Sequence, residues 1–125
     1  MNDLRRVLEK LSKEKVVKVL KAKNTKKLIK ILQEEGLVKV ISENQTTITM
    51  KTTGTKIRPI YRLPTIQKTN PTDTSINKHQ LIFEAAHTLP TVNGILLLST
   101  KLGVITHHQA LGYGIGGTLF GAAYL

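Results

Sequence analysis

Gly94-Ile-Leu-Leu-Leu-Ser-Thr-Lys-Leu-Gly103-Val-Ile-Thr-His-His-Gln-Ala-Leu-Gly-Tyr-Gly-Ile-Gly-Gly117 carries the strongest structural signals in the chain. Ile95 to Leu98 is apolar without alternation, which suits a strand buried on both faces. It ends in two hydroxyls, Ser99 and Thr100, then Lys101 and Gly103, a donor-rich tip where the backbone can turn sharply and a second molecule can come close. Thr106-His107-His108-Gln109 has the form of a capping box, in which a hydroxyl and a glutamine each satisfy one end-of-helix amide. A short helix is expected to start there and to stop near Gly112 or Gly114, either of which can take the left-handed turn that closes a helix. Gly116-Gly117 then opens an extended segment, Thr118 to Leu125.

Working outward, Leu89-Pro90-Thr91-Val92 reads as one helical turn with proline near its start. Leu81-Ile82-Phe83 reads as a short strand. Pro64 to Asn77, rich in Thr, Asn and Pro, reads as an exposed loop. Lys56-Ile57-Arg58-Pro59-Ile60-Tyr61-Arg62 alternates like a strand, and Pro59, with no amide hydrogen, places it at a sheet edge. Nearer the N-terminus, Leu4, Val7, Leu8 and Leu11 recur at helical spacing behind an Asn2 or Asp3 cap. Val16 to Leu20 is β-branched and strand-like. Leu28, Ile31 and Leu32 form one stripe of a second helix, capped by Asn24-Thr25 and closed by Gly36. Leu37 to Ser42 and Thr46 to Lys51 flank a polar hairpin loop, Glu43-Asn44-Gln45. The expected class is α+β in two small lobes: residues 1–54 as α-β-α-β-β with both helices on one face of the sheet, and residues 55–125 as mostly β with a short capped helix.

Charge divides the chain in the same place. Residues 1–62 hold sixteen Lys and Arg against six Asp and Glu, a balance of +10, whereas residues 63–125 hold three against two. A formal charge of +11 on 125 residues implies a polyanionic partner, nucleic acid or an acidic membrane, and the first lobe supplies the attraction. Cysteine is absent, which excludes disulfides and thiolate metal sites. The first residues show neither a secretory core nor an acid-free transit stretch, so a protein working in an organelle is expected to be made there or to be shown in trimmed form.

Several rival functions are weak. Gly112-Tyr113-Gly114-Ile115-Gly116-Gly117 satisfies G-x-G-x-x-G, but too few residues follow for the helix and strand of a dinucleotide site. Residues 102–125 carry no Asp, Glu, Lys or Arg and place glycines four apart, as membrane helices do. His107, His108 and Gln109 nevertheless leave an uninterrupted run shorter than the roughly 20 residues of a span. His107 and His108, adjacent and without a nearby carboxylate, are expected to face solvent on the short helix rather than to act as a base or metal ligands. Ser99 lacks a nucleophile elbow. No catalytic residue, metal or cofactor is expected, and no small-molecule substrate. A free-standing nucleic-acid binder is the rival within the same broad class.

Leu89-Pro90-Thr91-Val92, Ser99-Thr100, Gly103, Thr106, Ala110 and Gly116-Gly117 together resemble, at matching spacing, the universal small-subunit ribosomal protein family eight. Leu4, Arg6, Val7, Lys23 and Ile31-Leu32-Gln33-Glu34-Glu35-Gly36 agree with its first half. The match is weakest over 52–80. Lys101 stands where the family pattern has a third serine, Leu111 and Gly112 where it has paired arginines, and Ala22 where a serine precedes Lys23. The resemblance implies a structural ribosomal protein that binds the central domain of small-subunit ribosomal RNA, beside neighbouring small-subunit proteins and away from membranes. The expected contacts are Arg5, Arg6, Lys23, Ser99, Thr100, Lys101, Gly103, Thr106, Gly116 and Gly117. Lysines and arginines would hold phosphates, and the hydroxyl tip would read an irregular RNA site. The missing arginines suit a mitochondrial ribosome over a plastid or bacterial one.

Overall fold

A computed structural model describes residues 2–53, 56–63, 66, 68–70, 72–90 and 94–124. Helix α1 (Asn2–Lys13) leads into β1 (Val16–Leu20), helix α2 (Lys23–Glu34), β2 (Val38–Glu43) and β3 (Thr47–Thr52). The three strands form an antiparallel sheet in the order β1-β3-β2. Its buried residues, Val17, Val19, Ile48 and Met50, alternate with exposed ones, so one face is covered and the other open. The hairpin loop is held by Asn44, whose Oδ1 accepts the N–H groups of Thr46 and Thr47 at 2.9 and 2.7 Å. These elements are the α-β-α-β-β unit read from the sequence.

The remainder runs β4 (Lys56–Pro59), β5 (Ser75–Ile76), α3 (Lys78–Thr88), β6 (Ile95–Thr100), β7 (Gly103–Thr106), α4 (His107–Tyr113) and β8 (Gly117–Tyr124). The second sheet has the order β4-β8-β6-β7, with β5 also pairing β8. Strand β4 lies at the edge, as Pro59 requires. Helices α1 and α2 lie between the two sheets. Leu4, Leu8, Leu28 and Leu32 share one hydrophobic cluster with Val17 and Met50 of the first sheet and with Ile57, Ile95, Leu97, Val104 and Phe120 of the second. Helices α3 and α4 cover the opposite face of the second sheet, where Leu81 and Ala110 pack with Leu96, Leu98, Ile105 and Leu119. The result is a sheet-helix-sheet-helix stack. Strand β6 is apolar on both sides because each of its faces meets a helical layer.

Three sequence expectations need correction. Leu81-Ile82-Phe83 lies within α3, because Asn77 and Gln80 form a capping box that starts a helix: Asn77 Oδ1 accepts the Gln80 N–H at 2.8 Å, and Gln80 Oε1 accepts the Asn77 N–H at 3.0 Å. The segment from Pro64 to Asn77 contains a piece of sheet, β5, and a buried threonine, Thr74. Helix α2 starts after Ala22 with no capping side chain, Thr25 is buried, and Ile29 rather than Ile31 completes the buried stripe. Gly36 closes α2 as expected, at φ +75°, with its N–H donating to Gln33 O and that of Leu37 to Leu32 O. Gly54 at the expected lobe boundary, and Thr91 and Val92 of the expected helical turn, lie outside the described residues.

Candidate nucleic-acid interface

The β6–β7 hairpin forms as the sequence requires. Thr100 opposes Gly103, leaving Lys101 and Leu102 as an exposed two-residue turn, and Gly103 takes φ +102°, a conformation that side chains rarely adopt. The Thr100 hydroxyl is used inside the turn: it accepts the Leu102 N–H at 3.0 Å and donates to Gly103 O at 3.0 Å. Ser99 is half-buried, and its hydroxyl has no hydrogen-bond partner among the described residues. The two hydroxyls of the tip therefore differ. Thr100 shapes the turn, and the Ser99 hydroxyl makes no hydrogen bond among the described residues.

Ser99 pairs with Thr118 across the strands, so their side chains stand side by side on one face of the sheet. Thr118 and the glycine pair open onto a cleft of about 600 Å³, lined also by Lys68, Ser75, Ile76, Asn77 and Gln80. Gly116 and Gly117 are there for close approach. A Cβ on Gly116 would collide with the carbonyl oxygen of Ile76, and one on Gly117 would come within 2.6 Å of Ser99 O and 2.7 Å of Thr100 Cγ2. Thr118 and Lys68 escaped sequence reasoning, because only the pairing of β5 and β6 with β8 brings these distant segments to one cleft.

Thr106 serves as a helix cap, not as a surface hydroxyl. Its Oγ1 accepts the Gln109 N–H at 3.3 Å, Gln109 Oε1 accepts the Thr106 N–H at 3.1 Å, and the residue is 5% exposed. Gly114, at φ +68°, closes α4. His107 overturns the expectation that both histidines face solvent. It is buried, and its Nδ1 accepts the Leu96 N–H at 2.9 Å, tying α4 to β6. Burial, helped by the neighbouring charge of His108, pushes the His107 imidazole down to about 4. His108 is exposed, its ring centroid 4.0 Å from that of His107.

Of the expected cationic contacts, Arg6, Lys23 and Lys101 are exposed. Arg6 lines a cleft of about 470 Å³ with Lys10, Lys18 and Lys21, where α1, β1 and the start of α2 meet. Arg5 is different, and its expected place on a solvent face is corrected. It is 8% exposed, with Nε donating to Ile60 O at 2.8 Å and Nη2 donating to Thr74 Oγ1 at 2.8 Å and to Leu119 O at 3.3 Å. The Tyr61 ring lies 5.7 Å from its guanidinium carbon, and the Tyr61 hydroxyl donates to Glu9 at 3.1 Å. Arg5 borders the apolar stripe one turn before Leu8, and its acceptors come from the distant chain it anchors, which no local pattern reveals. Residues 102–124, considered above as a membrane tail, fold as turn, strand, seven-residue helix and strand; among the described residues no helix is long and apolar enough to cross a membrane.

Comparison with known proteins agrees with this architecture. Residues 6–124 match the sequence model of the family described as Ribosomal protein S8. The chain is also similar to the small ribosomal subunit protein uS8 of the archaeon Methanosphaerula palustris, 45% identical over 51 residues. That alignment covers 40% of this chain and 39% of the relative. Since the family match runs through both sheets and all four helices, the chain belongs to the ribosomal protein S8 family.

Proposed function

We propose that this protein is a structural constituent of the small ribosomal subunit, without a catalytic step, that binds the central domain of small-subunit ribosomal RNA and supports assembly. The observation that carries the reading is the Ser99 hydroxyl, without a hydrogen-bond partner among the described residues, beside an exposed Lys101 on a turn whose shape Thr100 and Gly103 fix. A pre-shaped donor of this kind suits irregular, unstacked RNA, where ribose, phosphate and base edges are all in reach. Arg6, Lys10, Lys18, Lys23 and Lys101 supply sequence-independent, salt-sensitive attraction. Thr118, Lys68 and the backbone at Gly116-Gly117 extend the selective surface into the adjoining cleft. Neighbouring small-subunit proteins would cover exposed apolar residues such as Ile82 and Phe83 of α3. The mitochondrial ribosome is the favoured compartment, because Leu111 and Gly112 stand where the family pattern has arginines, a loss suited to a ribosome whose proteins share more of the grip.

Binding to a central-domain RNA fragment and to random duplex RNA, measured at several salt concentrations, tests the reading. Ser99→Ala is expected to lower affinity for the fragment about tenfold, the order of one or two lost hydrogen bonds, and to leave duplex binding unchanged. Equal losses on both RNAs would sink it. Sedimentation of a mitochondrial extract should place the protein with small subunits, and recovery only in light fractions would favour a free-standing RNA binder.

A further inference from the structure

Lys27 lies on α2, in the first lobe, yet its ammonium reaches the hairpin of the second. A Cβ built on Gly103 would stand 2.9 Å from Lys27 Nζ and 3.9 Å from its Cδ, so the side chain lies across the glycine at the base of the β6–β7 turn. A Cβ at this position would push the end of the lysine aside. Lys27 is exposed, and among the described residues no carboxylate pairs with it. It stands one helical turn after Lys23, and residues four apart share a helix face. The exposed Lys101 caps the same hairpin. Lys23 and Lys27 thus share one face of α2, Lys27 reaches the hairpin that carries Lys101, and among the described residues none of the three is paired with an acid.

We infer that Lys27 is an RNA-binding residue and that α2 and the β6–β7 hairpin form one composite phosphate site, with Lys27 at the join. Exposed ammonium groups without an acidic partner on one surface suit a repeated anion, and a nucleic-acid backbone supplies anions at close spacing. The site places a cation beside the Ser99–Lys101 tip from a different lobe. Selective contact at the tip and backbone contact at α2 then fall on one RNA segment, and the packing of α2 on β7 fixes their spacing. The inference rests on the proposed RNA binding and adds a residue and a geometry to it.

Affinity of the full chain for the central-domain RNA fragment is to be measured across a salt series for Lys27→Gln, Lys27→Arg, Lys101→Gln and the double variant Lys27→Gln/Lys101→Gln, with Lys30→Gln as a control from the same helix. Lys27→Gln should flatten the slope of log affinity against log salt by about 0.7 to 0.9, one phosphate contact's worth, and Lys27→Arg should restore it. Loss in the double variant should be smaller than the product of the single losses, because the two lysines share a phosphate environment. Urea midpoints should match the parent for all variants, since Lys27 is exposed. A slope unchanged in Lys27→Gln, or changed as much in Lys30→Gln, would overturn the inference. If Ser99→Ala still loses the fragment selectively, that failure leaves the proposed function standing; if Ser99→Ala also has no effect, both fall.

Discussion

Leu8 of α1 sits on a position of β8 that has no side chain: a Cβ on Gly121 would collide with Leu8 Cδ1. The glycine lets the helix layer settle onto the second sheet, and Leu8, fully buried, fills the space. Gly121→Ala is expected to destabilise the protein by about 1–3 kcal/mol, the range for overpacking a well-filled core. Leu8→Ala should cost about 2–5 kcal/mol by leaving a cavity. In the double variant the alanine at 121 occupies space that Leu8 vacated, so the combined loss should fall short of the sum. Urea unfolding of the four proteins checks this, and strict additivity would mean that the two residues do not compete for one space.

Arg5 is expected to hold the structure together and to bind no phosphate. Replacing it by Met keeps much of the apolar stem but removes the donors to Ile60 O, Thr74 Oγ1 and Leu119 O, all drawn from the chain that packs beneath α1. Unsatisfied buried acceptors cost about 1–3 kcal/mol each, so Arg5→Met should lose roughly 2–4 kcal/mol after relaxation. Arg6→Gln, on the exposed side of the same helix, should leave stability unmoved and flatten the salt dependence of RNA binding by about 0.7 to 0.9. A flattened salt dependence in folded Arg5→Met would show that its charge does reach RNA.

These two arginines mark how far the sequence could be read. Apolar periodicity placed Leu4, Val7, Leu8 and Leu11 toward the core, and capping chemistry placed Thr106, Gln109, Gly114 and Gly36, because each of those rules acts within a few residues. What pairs distant segments stayed hidden. Arg5 and Arg6 are neighbours of identical chemistry, and only the far acceptors at Ile60, Thr74 and Leu119 separate them. Asn77-x-x-Gln80 is as local a sign as Thr106-x-x-Gln109, and it lay unread beside the apolar triplet Leu81-Ile82-Phe83; in the fold Ile82 and Phe83 are exposed. The tip was legible as a hydroxyl-bearing turn. That Thr100 serves the turn while Ser99 stays free, and that Lys27 lies over Gly103, follows from register and from packing across sheets.

Gly116 and Gly117 shape the site without offering groups of their own beyond backbone. Gly116→Ala drives a methyl into Ile76 O, so β5 and the start of α3 must move, and stability should fall by about 1–3 kcal/mol. Proteolysis between β5 and α3 should become faster than in the parent. RNA affinity, corrected for the folded fraction, should also drop, because Ser75, Asn77 and Gln80 line the cleft that the shift distorts. An unchanged protease pattern would show that the strand pair tolerates the methyl.

His107 makes acid sensitivity a property of the α4–β6 contact. Its Nδ1 must be unprotonated to accept the Leu96 N–H, and burial holds the folded-state value at about 4 against an ordinary 6.5. The unfolded chain therefore takes up a proton before the folded one does. The stability this residue contributes is complete above pH 6.5, declines as pH falls from there, and is gone below about pH 4. One pKa unit is worth about 1.4 kcal/mol, so the decline should amount to roughly 3–4 kcal/mol. His107→Asn keeps an acceptor near Nδ1 but cannot titrate; its urea midpoint should be lower than the parent's at pH 7 through lost packing, and flatter between pH 6.5 and 4. The two curves should converge toward pH 4. Parallel curves across that window would mean that His107 does not carry the acid response.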